Sequence, residues 1–219
     1  MLNRRPLGRR LAIKFAKLMR WLHIYLSMFG LAMVLFFSAT GVTLNHPDWF
    51  FGETQRSVQA EGQVDLKWLR APAIAASSSP DAIADPAGLV SKLEIVEHLR
   101  AAHGIRGALV EFKVDDTECV VAFKGPGYSA DAFVDRDSGH YTLTQSYHGP
   151  IAILNDLHKG RDTGFVWSIF IDVSAVLLTL ISLSGLVLLF YLKLRRGPGL
   201  VVVAVGTVVV MALFYWGVP

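Results

Sequence analysis

Seven histidines carry most of the chemistry open to this chain. A neutral imidazole is a common metal ligand, and two of them on neighbouring helices can fill both axial positions of a haem iron. His46, His148 and His158 all stand beside the ends of long apolar stretches. His46 closes the first stretch, where Pro47 turns the backbone away from helix. His158 follows Ile151–Leu157, a segment that reads as helical, and precedes the second stretch. Haem ligation by His46 with His158 is one use of this placement. Hydrogen bonding to lipid headgroups, or to Asp156 and Asp162, is the other, and spacing alone leaves both open. His23 lies at the opposite end of the first stretch, 23 residues from His46. A helical rise of 1.5 Å per residue puts the two roughly 35 Å apart, too far to share one iron. A haem at His23 would need a second ring from another copy or subunit; otherwise His23 caps the span beside Arg20 and Trp21. His98, His103 and His140 lack any H-x-x-x-H partner and read as surface residues.

Lys159 and Arg161 flank Gly160 directly after His158. With Arg106 they could hold an anionic ligand or haem propionates, because charge-assisted bonds suit a carboxylate. Membrane-surface anchoring is the other use of such cations. Asp172, inside the second apolar stretch, continues through Ala175, Thr179 and Ser182 as a polar stripe suited to another helix or a cofactor edge. The chain has no G-x-S-x-G, H-E-x-x-H, phosphate-binding loop or dinucleotide fingerprint, which removes hydrolase and nucleotide-driven readings and leaves no nucleotide cofactor expected. One cysteine, Cys119, excludes an internal disulfide and an iron–sulfur cluster.

The elements that must position these residues are mostly apolar. Of 219 residues, 53% are hydrophobic and 18% charged, with a mean hydropathy of +0.42. A soluble domain holds about 45–50% and roughly 25%. Three runs are long enough to cross a hydrocarbon core of about 30 Å: residues 21–45, 165–192 and 199–218. The first is too long for a cleaved signal, whose apolar core has roughly 7–15 residues. Residues 1–20 carry seven Lys and Arg without an acid, and the loop 193–198 carries three. Residues 45–166 carry 11 basic and 17 acidic side chains. Basic loops stay cytoplasmic, so the N-terminus and 193–198 are expected inside, with 46–164 and the C-terminus outside. The basic pI of about 9.1 then reflects topology, and no nucleic-acid partner is expected.

Between the first two spans, residues 46–164 are enough for one small α+β domain. Residues 52–88, with Ala75–Pro80 and Asp85-Pro86, read as a linker. An apolar face through Leu89, Val90, Leu93, Val96 and Leu99 predicts a helix that Gly104 stops. Four strands follow near 108–114, 119–123, 132–135 and 141–144, an antiparallel meander. In the turn Asp137-Ser138-Gly139, Asp137 can bond its own backbone and Gly139 can take positive φ.

This order, with Val134-Asp135-Arg136-Asp137-Ser138-Gly139, resembles the PepSY domain and its V-D-x-x-[ST]-G turn. Arg20-Trp21-Leu22-His23 with Gly30, Ser38 and Gly41, and Leu157-His158-Lys159-Gly160-Arg161 with Trp167, Asp172 and Ser184-Gly185-Leu186, are similar to the spans of PepSY-associated transmembrane proteins. The resemblance implies a bacterial inner-membrane protein, and its reductase members release iron from siderophores with b-type haem. Carried onto this chain, it implies haem b on His46 and His158, with His148 and His23 as further candidates and Lys159 and Arg161 beside the propionates or an anionic ferric chelate. No electron donor is encoded, so a donor subunit, homodimer or larger membrane complex is expected in the lipid bilayer. The rival expectation is a non-catalytic anchor or accessory subunit that binds a periplasmic partner.

Overall fold

A computed structural model of the chain describes residues 7–49, 54–70 and 90–219. Ala75–Pro80 and Asp85-Pro86 of the expected linker lie outside the described residues, as do Arg4 and Arg5. The chain divides into two compact units, one from Met1–Phe36 with Ile169–Pro219 and the other from Phe37–Ser168.

Three helices are long and apolar enough to cross a membrane: α1 (Leu7–Asn45), α5 (Phe165–Tyr191) and α6 (Arg196–Gly217). Helices α5 and α6 lie where the second and third apolar runs stand in the sequence. Helix α1 starts far earlier than the apolar run, taking in most of the basic segment. Its 39 residues rise about 58 Å, well beyond a hydrocarbon core. Lys, Arg, Ala and Leu are all good helix formers, so the change from basic to apolar at Arg20 changes the surroundings and not the conformation. In the first unit Gly30 lets α1 approach α5, since a Cβ there would stand 2.9 Å from Ile181 Cδ1.

The second unit holds a five-stranded antiparallel sheet in the order β1-β5-β4-β3-β2. Its strands are β1 (Gln55–Gln63), β2 (Ala108–Val114), β3 (Glu118–Gly125), β4 (Tyr128–Asp135) and β5 (His140–His148). Four of these are the expected meander. The fifth, β1, corrects both the four-strand expectation and the reading of residues 52–88 as linker throughout, and a short helix α2 (Leu66–Leu69) follows it. Strand β1 reads QRSVQAEGQ, with no apolar alternation, because it is an edge strand with most of its residues exposed. Its stability comes from nine ladder partners on β5, from Gln55 opposite His148 to Gln63 opposite His140. Polar edges also deter pairing with other chains.

Helix α3 (Lys92–His103) lays Ile95, Val96 and Leu99 on the sheet and ends at Gly104, whose φ of 64° is the left-handed cap expected of it. Leu93, placed by periodicity on the buried face, is 68% exposed. The core joins that helix to Cys119, Val121, Phe123, Val134 and Leu143, with Leu69 from α2. In the β4–β5 turn Gly139 has φ 72°. The carboxylate that organises the turn is Asp135, not Asp137: its Oδ1 accepts from Asp137 N at 3.1 Å, Ser138 N at 2.7 Å and Ser138 Oγ at 2.6 Å. The Ser138 hydroxyl and amide hold the Asp135 carboxyl below the usual range.

Candidate functional site

Helix α4 (Pro150–Lys159) is the expected 151–157 segment, opened by Pro150 in its first turn and closed by Gly160 at φ 68°. Three of its last five residues reach in different directions. Asn155, 8% exposed, accepts from Thr43 Oγ1 at 2.9 Å and donates to Thr43 O at 3.4 Å. Asp156 Oδ2 accepts from the backbone N–H of Gly127 at 2.9 Å. His158 Nδ1 meets Thr40 Oγ1 at 2.7 Å. Just beyond, Trp167 Nε1 donates to Leu157 O at 2.8 Å. Helix α4 is therefore a bracket, bonded on one side to the end of α1 and on the other to the β3–β4 hairpin.

That hairpin forms the rim of a cleft of about 510 Å³, inside the range typical of ligand sites. Its lining includes Gly104, Gly107 and Gly127 with Arg106, Tyr147 and Ile153. The glycines make the shape. A Cβ on Gly107 would stand 3.0 Å from the backbone of Lys124, and one on Gly127, at φ 64°, would run into Ile153. Two lining residues, Tyr128 and Tyr147, both donate to Gln145 Oε1, at 3.1 and 2.7 Å. Burial, then the neighbouring Tyr147, pushes the Tyr128 phenol up to about 12. The Tyr128 hydroxyl thus stays protonated, and both hydroxyls are committed to Gln145. Arg106 is exposed, lines the cleft and has no ion pair among the described residues.

The predicted site residues fall into separate settings. His148 ends β5, is exposed and lines the cleft, where its backbone N–H donates to Gly127 O at 2.8 Å. His158 is half-buried, with Phe37 edge-on at 5.3 Å between ring centroids. His46 stacks on Trp49 at 3.9 Å and 7°, and its Nε2 lies 3.4 Å from Asn45 Nδ2. The His158 ring touches α1 at Gly41, whereas His46 stands five residues further on, about 140° round a helix of 3.6 residues per turn. Each ring has neighbours of its own, Thr40 and Phe37 for His158 and Trp49 for His46. Of the small residues of α1, Gly30 packs against Ile181 and Gly41 lies against His158. Lys159 and Arg161 are exposed, without ion pairs among the described residues.

In the other unit, His23 Nδ1 lies 3.1 Å from Ile181 O and 2.9 Å from Ser184 Oγ. Gly185 makes the space, since a Cβ there would stand 3.0 Å from His23 Cε1. Asp172 is exposed on α5. Thr179 and Ser182 of its stripe donate to Ala175 O and Leu178 O of their own helix.

One polar cluster went unread in the sequence. His103 Nε2 meets Tyr141 Oη at 2.8 Å, and His98 packs edge-on against the same ring and tilted against Trp68. The space for Tyr141 is provided by Gly62 of β1, where a side chain would overlap the phenol. Burial, then the nearby His98, draws His103 down from its usual range. The signal that could have located it was the i, i+5 histidine pair on α3, but its partners come from strands far along the chain.

A comparison with family models matches residues 17–219 to the description "Putative PepSY_TM-like". The chain belongs to this PepSY_TM-like family. The match covers α1 from Lys17 onward, the sheet unit, α5 and α6, so the membrane helices and the sheet unit are parts of one family pattern. Neither the curated proteins nor the solved structures offer a match.

Proposed function

We propose that this PepSY_TM-like protein is a non-catalytic membrane anchor whose sheet unit, held outside a bacterial inner membrane, binds a partner in the cleft beside Arg106. The carrying observation is the α4 bracket: consecutive residues Asn155 and Asp156, with His158, bond α1 on one side and the cleft rim on the other. The cleft suits a segment that brings an acidic group to Arg106 and an apolar side chain to Tyr147 and Ile153. Binding there stiffens Gly127 of the rim hairpin and Ile153 of α4 itself. A photo-crosslinking residue at Tyr147 in membranes of the native host is expected to give one discrete adduct, lost in Arg106→Glu. Crosslinking that Arg106→Glu leaves unchanged overturns the reading.

One observation favours a second reading, haem-dependent electron transfer to a ferric chelate. His158 holds its Nδ1 on the Thr40 hydroxyl, and such an arrangement presents Nε2 as a ligand nitrogen. The second axial ligand would come from another copy or subunit, and haem would supply the redox chemistry. Purified full-length protein, reduced with dithionite, separates the readings. A colourless folded preparation supports the anchor; a reduced haem band abolished by His158→Ala supports the reductase.

A further inference from the structure

We propose that the cytoplasm-facing end of the helical unit is a binding collar for anionic phospholipid headgroups, built from two chain segments far apart in sequence. On α1 the residues Arg9, Arg10, Lys14, Lys17 and Arg20 are all exposed. At 100° per residue they occupy an arc of about 140°, while Leu11, Phe15, Leu18 and Met19 occupy the other side. The second segment is the connection after α5 with the first residue of α6, where Lys193, Arg195 and Arg196 are exposed as well. Phe15 of α1 meets Tyr191 of α5 at 6.0 Å between ring centroids, which brings both cation groups to one end of the unit. Arg196 lies over Phe190 at 5.5 Å, so its charge is held against the end of the apolar helix. No acidic residue occurs in either segment.

The chemistry selects a lipid rather than a soluble polyanion. Beside the cation arc stand outward apolar side chains, Leu11 at 57%, Leu18 at 54% and Leu194 at 93% exposed. A phosphodiester with acyl chains satisfies both kinds of surface at once. The depth agrees: α1 exceeds a bilayer core by about 28 Å, and its apolar run begins directly after Arg20, so Lys17 and Arg20 emerge where phosphates lie. Each cation near an anionic surface contributes about 1 kcal/mol, or roughly fivefold in binding.

Native mass spectrometry of the full chain in neutral detergent, titrated with phosphatidylglycerol, cardiolipin or phosphatidylcholine, tests this. The two anionic lipids are expected to bind at least about tenfold tighter than phosphatidylcholine. Lys14→Gln with Lys17→Gln, and separately Lys193→Gln with Arg195→Gln, should each erase most of that preference. Lys124→Gln on β3 should leave it intact. Raising ionic strength from about 0.1 to about 1 M should weaken the anionic lipids alone. Equal binding of all three lipids, a preference that survives both double variants, or displacement by excess inorganic phosphate as effective as by phosphatidylglycerol overturns the collar. The variants alter exposed side chains only, and an unchanged melting temperature confirms that each is folded.

Discussion

His103 shows how one side chain links packing to pH. Its folded state favours the neutral ring, because burial and then His98 oppose the proton. The unfolded chain binds that proton more readily, so stability is full above the ordinary value of 6.5 and is lost as pH falls from there towards the lowered value. Melting temperature measured from pH 7.5 to about 5 is expected to fall in the native chain and to fall less in His103→Gln, which keeps a hydrogen-bonding partner for Tyr141. Equal slopes in the two proteins would refute the assignment. The same scale explains the turn at Gly139. With φ at 72° and Val64 O 2.7 Å from any added Cβ, Gly139→Ala should cost about 1–3 kcal/mol in chemical denaturation. These positions were only half legible. The turn was visible as D-x-x-S-G, but the capping role falls on Asp135, the first residue of that motif, which collects three donors from Asp137 and Ser138.

Among the elements, α4 carries the sharpest consequence. Thr40→Val removes the hydroxyl that meets His158, and interhelical hydrogen bonds near membranes average about 0.6 kcal/mol, with a maximum of about 1.7. Asn155→Leu should cost more, about 1–3 kcal/mol, because it removes both the acceptor and the donor that reach Thr43, whose hydroxyl keeps only Thr40 O. Unfolding in mild denaturing detergent checks both, and the order of the two losses is the diagnostic result. Helix α4 could be anticipated from its apolar residues and its closing glycine. Its role could not, because Thr40, Thr43 and Gly127 are more than 25 residues distant in sequence. Strand β1 failed for the opposite reason: an edge strand held by backbone pairing need not display any side-chain pattern.

At the level of the whole molecule, the expected topology can be read by chemistry. Cys119 is fully buried, and burial raises its thiol above the usual range, so it should stay silent towards maleimides. A new cysteine at Lys124, on the sheet unit, is expected to react with a membrane-impermeant maleimide in cells whose outer barrier alone is opened. A new cysteine at Leu194 should react only after the inner membrane is breached. The reverse pattern would invert the molecule and move the lipid collar to the other leaflet.

Hydrophobic length, charge placement and turn residues are local quantities, and they alone determined three membrane helices, one α+β unit and the PepSY_TM-like family to which the chain belongs. What each histidine does was decided by tertiary structure. An imidazole takes whichever role its neighbours impose, and those neighbours arrive from distant segments. Thr40 claims one nitrogen of His158, Ile181 and Ser184 claim one of His23, Trp49 covers the ring of His46, and Tyr141 engages His103.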